Sequence, residues 1–191
     1  MKFDAIIIGG GLAGCTAAEA LSQKGLRCAV VSEGHSLRDC NPASVQSAGG
    51  SLFAGDRAVS ARIEGDKVAA VFTEKMEDEP LEADWYVLAT GKYFSKGLAV
   101  DMKRIYEPVF GLDIDAAEER SEWFDADFSA PQKFMEFGVR DCGSGKVSIG
   151  GKVLANVFAA GEVLAGITDI EPDAEEIIRK SALAAVSNIT R

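Results

Sequence analysis

Hydrophobic positions along this chain fall in short dense runs separated by glycine and polar breaks. Phe3–Ile8 is almost wholly apolar after Asp4. That is the pattern of a strand buried on both faces of a parallel sheet. The run stops at Gly9-Gly10-Gly11-Leu12-Ala13-Gly14. Cys15–Lys24 then has helical composition, with Ala17, Ala18 and Leu21 on one side, and Gly25 suits its C-terminal cap. Arg27–Ser32 is a second apolar run, so the opening predicts a β-α-β unit.

Further on the pattern changes. Gly34–Gly55 is rich in Ser and Gly, with Asn41 among them, and reads as a loop. Arg57–Glu64 and Lys67–Thr73 flank Gly65-Asp66, the signature of a hairpin with a tight turn. An acidic turn, Glu74–Pro80, precedes Leu81–Asp84, a candidate third short strand. Trp85–Ala89 is again continuously apolar and predicts a return to the parallel sheet. Signals weaken from Lys92 to Val139, with turns at Glu107-Pro108 and Ala130-Pro131 and a candidate short helix at Glu118–Phe124. Val147–Val153 reads as a strand or hairpin rim around Gly150-Gly151, and Val157–Ala160 as a short buried strand. Pro172–Ile189 predicts a closing helix, with Pro172 at its first position and Asp173, Glu175 and Glu176 in its first turn. The expected fold class is α/β, a Rossmann-like FAD/NAD(P)-binding fold with a parallel sheet and a small antiparallel meander. Residues 1–191 are expected to form one domain, with the meander inserted at about 56–84.

Composition narrows the function classes. Hydrophobic residues make up 47% of the chain and charged ones 26%, which suits a packed core. Twenty basic and thirty acidic side chains leave a net charge of −10, which disfavours nucleic acid and anionic lipid as partners. A local basic patch has Lys92, Lys96, Lys103 and Arg104 as candidates; scattered solvated charges are the plainer reading. Cys15, Cys28, Cys40 and Cys142 have neither C-x-x-C spacing nor a histidine cluster, so no metal site is expected and reduced thiols are. The run Ala5–Ile8 is too short for a signal peptide, and no apolar stretch approaches a membrane span. The expectation is a soluble cytoplasmic protein, with membrane association only through a partner subunit.

The chemistry-bearing signal is Gly9-x-Gly11-x-x-Gly14. Gly9 permits the tight turn, Gly11 lets backbone approach a pyrophosphate, and Gly14 lets helix and strand pack closely. The helix start, with Leu12 and Ala13, turns free N–H groups toward the anion. The acidic ribose partner of such sites ends the second strand. Here that place holds Ser32, with Glu33 one step later, so the side chain's face is in question. A misplaced acid leaves FMN as the alternative to FAD. Gly49, Gly50 and Ser51 are candidates for a second cofactor wall, with a plain connector as the alternative. Thr90-Gly91 and Gly161-Glu162 follow apolar strands and belong at the sheet's ligand-binding end. His35, the only histidine, is a convenient general base but reads more plainly as a surface residue, and no catalytic residue is named.

Four stretches together resemble one family: IIIGGGLAG at the start, VLATGKYFSKGL at Val87–Leu98, RIYEPVFGLD at Arg104–Asp113 and NVFAAGEVLAG at Asn156–Gly166. The family is the B-type subunit of anaerobic glycerol-3-phosphate dehydrogenase, within the glutathione-reductase-like and fumarate-reductase-like flavoproteins. The resemblance implies a three-subunit complex, with a catalytic flavoprotein subunit and an iron–sulfur subunit as partners. That complex oxidises glycerol 3-phosphate to dihydroxyacetone phosphate and passes electrons to membrane quinone. It implies flavin phosphate at Gly9, Gly11 and Gly14, the nucleotide beside Thr90 and Gly91, and the ribityl chain near Gly161 and Glu162.

Two departures qualify it. Members of that family are much longer, so the substrate-capping region is expected to be reduced or absent after Gly55. They also carry a glycine-rich opening to the last helix, where this chain has Asp169-Ile170-Glu171-Pro172-Asp173-Ala174-Glu175-Glu176. Carboxylates there would oppose a reduced, anionic flavin unless they are solvated helix-start residues. A flavin-free scaffold subunit and a stand-alone flavin oxidoreductase on another small substrate are the rival readings.

Overall fold

The computed structural model describes residues 1–34, 42–77 and 79–190. His35 and Cys40 lie outside the described residues.

The first three elements follow the hydrophobic pattern closely. They are strand β1 (Lys2–Ile8), helix α1 (Leu12–Gln23) and strand β2 (Cys28–Ser32). Helix α1 opens three residues before the expected Cys15, directly out of the glycine turn. Lys24 is its C-terminal cap, and Gly25 follows at φ +77°, a left-handed conformation glycine adopts without a Cβ penalty.

The segment read as a loop after Gly34 carries more structure than its composition suggests: helix α2 (Pro42–Ser47) and strand β3 (Ser51–Ala54). Strand β3 pairs parallel to β2, Ala29 opposite Ser51 and Ser32 opposite Ala54. A four-residue strand among polar residues leaves little periodicity to detect, and pairing with a buried neighbour decides it.

The expected hairpin is strands β4 (Ala58–Glu64) and β5 (Lys67–Thr73), turning at Gly65 with φ +69°. Leu81–Asp84 is not a separate meander strand. Leu81 alone bridges Val71, and the chain runs on as a single strand β6 (Glu82–Leu88) parallel to β1.

Short pieces fill the weak-signal region: β7 (Ala99–Val100) with β8 (Ile105–Tyr106), and β9 (Ile114–Asp115) with β10 (Gly138–Val139). The helix expected at Glu118–Phe124 is a single 3-10 turn at Arg120–Glu122, with another at Lys133–Glu136. Strands β11 (Lys146–Ile149) and β12 (Lys152–Ala159) form the hairpin expected around Gly150-Gly151. The buried strand at Val157–Ala160 is the second half of β12. A 3-10 turn at Gly161–Val163 leads on to helix α3 (Ala174–Ser187). That helix starts two residues later than expected, with Asp173 as N-cap and Pro172 in the preceding turn.

The sheet order is β11-β12-β6-β1-β2-β3, parallel throughout except for the edge strand β11. This is the mixed α/β, Rossmann-like architecture expected. Alternation along β1 explains its apolar run. Ala5 and Ile7 enter a core beneath the helices; Ile6 and Ile8 enter a second core on the opposite face. Each fully buried Ile side chain contributes about 1.5–3 kcal/mol. Helices α1 and α3 meet through alanines, with Ala17, Ala18, Ala182 and Ala185 all fully buried. Lys24 secures the pair by donating from Nζ to the carbonyls of Val186 (2.7 Å) and Ile189 (3.1 Å), placing a cation at the negative end of α3.

The other face is covered by the β4–β5 hairpin and the segment around β7–β10. Asn156 on β12 holds the hairpin there. Its Oδ1 accepts from Val68 N at 2.9 Å and its Nδ2 donates to Val68 O at 2.8 Å. One side chain thus imitates a strand pair. The thiols divide: Cys28 is buried and free, Cys142 is exposed and free, but Cys15 is disulfide-bonded, which corrects the expectation of reduced thiols at that position.

Candidate functional site

Because the strands run parallel, the carboxyl ends of β1, β2, β3, β6 and β12 share one edge of the sheet. The residues that follow them, Gly9, Glu33, Asp56, Thr90 and Gly161, therefore gather there from distant parts of the chain. This is the end at which open α/β sheets bind ligands.

The glycine turn is built as its sequence requires. Gly9 has φ +113°, and a Cβ on it would lie 2.1 Å from the Ala89 carbonyl oxygen. A Cβ on Gly14 would lie 1.9 Å from the Gly9 carbonyl oxygen, so that glycine is needed for packing. Gly11 is different. It is the N-cap of α1, and a Cβ there meets nothing within 4 Å. The space above Gly11 is open, and no side chain caps that helix end, so its N–H groups are left for another acceptor.

Two cavities meet above this turn. The larger, about 570 Å³, runs from Gly9–Gly11 past Ser32 and Glu33 at the end of β2. Arg57–Val59 of the hairpin and Pro108–Val109 close its sides. The smaller, about 100 Å³, is lined by Gly11, Leu12, Ala13, Thr90, Gly91 and Glu162. The larger lies within the range of roughly 300–1,000 Å³ common for cofactor sites. Gly11, Thr90 and Ser95 border both. At that junction Thr90 Oγ1 is buried without a hydrogen-bond partner. Such a group costs about 1–3 kcal/mol unless something satisfies it.

Glu33 reaches the larger cavity despite standing one residue past β2, because Ser32 and Glu33 both line it. Glu33 is half-exposed and forms an ion pair with Lys96. At the other end, Glu162 Oε2 lies 3.7 Å from where a Gly91 Cβ would stand. Burial pushes its carboxyl above the ordinary range, with Asp169 adding to the rise and Lys92 opposing it. Lys92 is buried, donates to the Met135 carbonyl, and is lowered by burial to about 8 against the pull of Glu162, Glu136 and Asp169. Gly161 lies outside both cavities; a Cβ there would strike Ala13 Cβ at 2.6 Å, so it allows close approach of α1.

Not every expected site residue gathers here. Gly49, Gly50 and Ser51 stand at the amino end of β3, opposite the cavities. Their backbone N–H groups are not free either: Gly49 and Gly50 donate to Gln46 and Val45 at the end of α2. They line neither cavity. His35 lies outside the described residues.

Conversely, the wall formed by Asp56–Val59, Phe94–Lys96 and Pro108–Val109 was not expected. Its only sequence trace is that residues 94–96 and 108–109 fall inside two of the motifs that carry the family resemblance. Glu107, fully buried, builds part of it: its carboxylate accepts from the backbone N–H groups of Val109 (2.8 Å), Phe110 (2.7 Å) and Gly111 (3.0 Å).

The model of the FAD binding domain matches residues 4–64 and 54–173, most of the chain. The chain belongs to the FAD binding domain family. The cofactor of that family is FAD, and the structure suits that group: an open backbone at Gly11 and an orphaned hydroxyl at Thr90, where two cavities adjoin.

Among curated proteins, the B-type subunit of anaerobic glycerol-3-phosphate dehydrogenase from Actinobacillus succinogenes is 45% identical over 131 residues, covering 64% of this chain and 30% of that protein. The Pectobacterium carotovorum protein of that name is 41% identical over 122 residues, covering 64% and 29%. The chain thus matches less than a third of these relatives' length. Solved structures share the fold at low identity. A Gloeobacter violaceus thioredoxin reductase has a TM-score of 0.54 and 11% identity, over 98% of this chain and 94% of that one. Thermovibrio ammonificans THI4 has a TM-score of 0.55 and 14% identity, over 98% and 88%. No described helix is long and apolar enough to cross a membrane.

Proposed function

We propose that this protein is a flavin-dependent oxidoreductase subunit that acts on glycerol 3-phosphate or relays its electrons toward quinone, within a glycerol-3-phosphate dehydrogenase-like complex. The observation that carries the redox reading is the orphaned Thr90 hydroxyl beside the open Gly11 backbone, where the two cavities join. The substrate reading rests on the similarity to the B-type subunits of that dehydrogenase.

In this reading the cofactor supplies the hydride acceptor. The chain's residues bind and orient it. The α1 N-terminus at Gly11, Leu12 and Ala13 holds the diphosphate, and Glu33, with Ser32, holds the adenosine ribose. Thr90 and Gly91 border the junction. Glu162 accepts hydrogen bonds from the ribityl hydroxyls, and buried Lys92 favours its charged form. The partners are a catalytic flavoprotein subunit and an iron–sulfur subunit, and any membrane association of this cytoplasmic chain runs through them. The chain acts as one flavin-binding domain with a reduced substrate cap.

One observation favours a second reading, a scaffold without flavin. The start of α3 carries Glu175 and Glu176 in its first turn behind an Asp173 cap. These acids cancel the positive helix end that would otherwise favour an anionic reduced flavin.

The test is the visible absorbance spectrum of the purified protein, followed by anaerobic addition of glycerol 3-phosphate. Flavin bands that bleach on addition support the leading reading. Flavin bands that persist point to electron relay or another substrate. A colourless protein that takes up no added FAD leaves only the scaffold.

A further inference from the structure

Two oppositely charged side chains line the larger cavity, which the proposed function assigns to the adenosine half. Glu33, just past β2, and Lys96, on the loop after β6, both line it, and they form an ion pair across it. Their side chains are half-exposed, at 45% and 58%, so the pair is not part of the packed core.

Four further facts mark Lys96 as placed for a task. It stands at φ +61°, a left-handed conformation that costs a non-glycine residue about 1 kcal/mol or more. The loop that imposes this is pinned on both sides: Lys96 N donates to Tyr93 O at 3.1 Å, and Gly97 N to Lys92 O at 2.9 Å. Tyr93 is anchored in turn through its hydroxyl to Phe134 O at 3.1 Å. Finally, Ser95, the neighbouring residue, borders both cavities at the glycine turn.

The cavity's charges make Lys96 distinctive. Among the described residues its only two cations are Arg57 and Lys96. Arg57 is held by Glu74 at 2.5 Å, and Glu74 lies outside the cavity, so that pair survives when a ligand enters. The Glu33–Lys96 pair stands inside it. A ligand whose ribose takes Glu33 removes the partner of Lys96. A ligand that also brings a diphosphate supplies another anion in its place.

We propose that Glu33 and Lys96 form a latch that opens to ribonucleotide diphosphates: Glu33 passes to the ribose hydroxyls, and Lys96 passes from Glu33 to the diphosphate. This rests on the reading of the cavity as the adenosine site. It adds the exchange and its consequence, that the latch discriminates by anion. A nucleoside must break the ion pair without replacing it, whereas ADP or FAD replaces both halves. Glu33 therefore competes with the diphosphate for Lys96 in the free protein.

The experiment uses isothermal titration of the cofactor-free full chain with adenosine, ADP, FAD and inorganic pyrophosphate. The proteins are wild type, Lys96→Met and Glu33→Gln. Lys96→Met is expected to weaken ADP and FAD by about tenfold, the scale of one charge-assisted hydrogen bond. It should leave adenosine unweakened, since no ion pair then has to break. Glu33→Gln is expected to tighten pyrophosphate several-fold while weakening adenosine, because the same carboxylate is the anion's competitor and the ribose's partner. Both side chains are substantially exposed, and thermal unfolding should show both variants melting close to wild type. ADP affinity unchanged in Lys96→Met, or pyrophosphate affinity unchanged in Glu33→Gln, overturns the latch. Wild-type protein that binds neither ADP nor FAD overturns the site reading beneath it, a result distinct from either.

Discussion

A Cβ placed on Gly14 would stand 1.9 Å from the carbonyl oxygen of Gly9, whereas one placed on Gly11, three residues earlier, would meet nothing within 4 Å. The two motif glycines are thus required for different reasons. Gly14 closes the helix onto the turn, and Gly11 leaves room for a ligand.

Gly14→Ala is expected to destabilise the fold by about 2–3 kcal/mol, as overpacking against backbone does. Gly11→Val is expected to unfold close to wild type yet lose its FAD. Denaturant unfolding of both variants, with flavin content measured on the same samples, checks the pair. Gly11→Val protein with full flavin would remove the diphosphate from this turn.

Asn156 joins β12 to the hairpin through both of its amide atoms. Asn156→Ala leaves the buried N–H and C=O of Val68 without their partner, and the expected loss is about 2–3 kcal/mol. Hydrogen exchange should locate the loss in residues 58–73. Uniform loss across the sheet would mean that Asn156 acts through the core instead.

Glu107 is a buried carboxylate whose role is to shape the wall at Pro108 and Val109. Its burial pushes the carboxyl up, opposed by the backbone N–H groups that point at it. Glu107→Ala strands three of those donors and should cost about 3 kcal/mol or more. It should also weaken FAD, since those two residues line the larger cavity. Fluorescence titration of FAD against the variant, under conditions where it stays folded, measures the second effect.

Lys92 makes stability depend on pH with a definite sign. Its value in the folded protein is lowered to about 8 from 10.5, so between those values the unfolded chain binds more protons than the folded one. Stability contributed through Lys92 therefore rises with pH across that window. Measured as unfolding free energy at several pH values, wild type should gain on Lys92→Met between about pH 8 and pH 10. A constant difference would mean that the ammonium is not held against desolvation.

How far the site was legible depends on how local its signals are. The Gly9–Gly14 turn, β1, α1 and β2 follow from contiguous residues, because steric need for glycine and continuous burial leave marks in neighbouring positions. Thr90, Gly91 and Glu162 were readable from strand ends, since a parallel sheet brings its carboxyl ends together. Gly49, Gly50 and Ser51 stand away from both cavities; accessible backbone in a glycine-rich stretch says nothing about which end of a strand it occupies. Strand β3 turned them away from the site.

What the sequence by itself determined is the nucleotide-binding β-α-β opening, the hairpin at Gly65 and the class of cofactor, each carried by spacing within a short segment. Tertiary structure alone decided the rest. It placed Lys96 against Glu33, 63 positions away. It also set Asn156 on Val68, 88 positions away. These are polar partnerships between distant residues, and no local periodicity records them. A carboxylate's partner is chosen by which backbone or ammonium the packed sheet brings within hydrogen-bonding reach, and that choice exists only once the chain is folded.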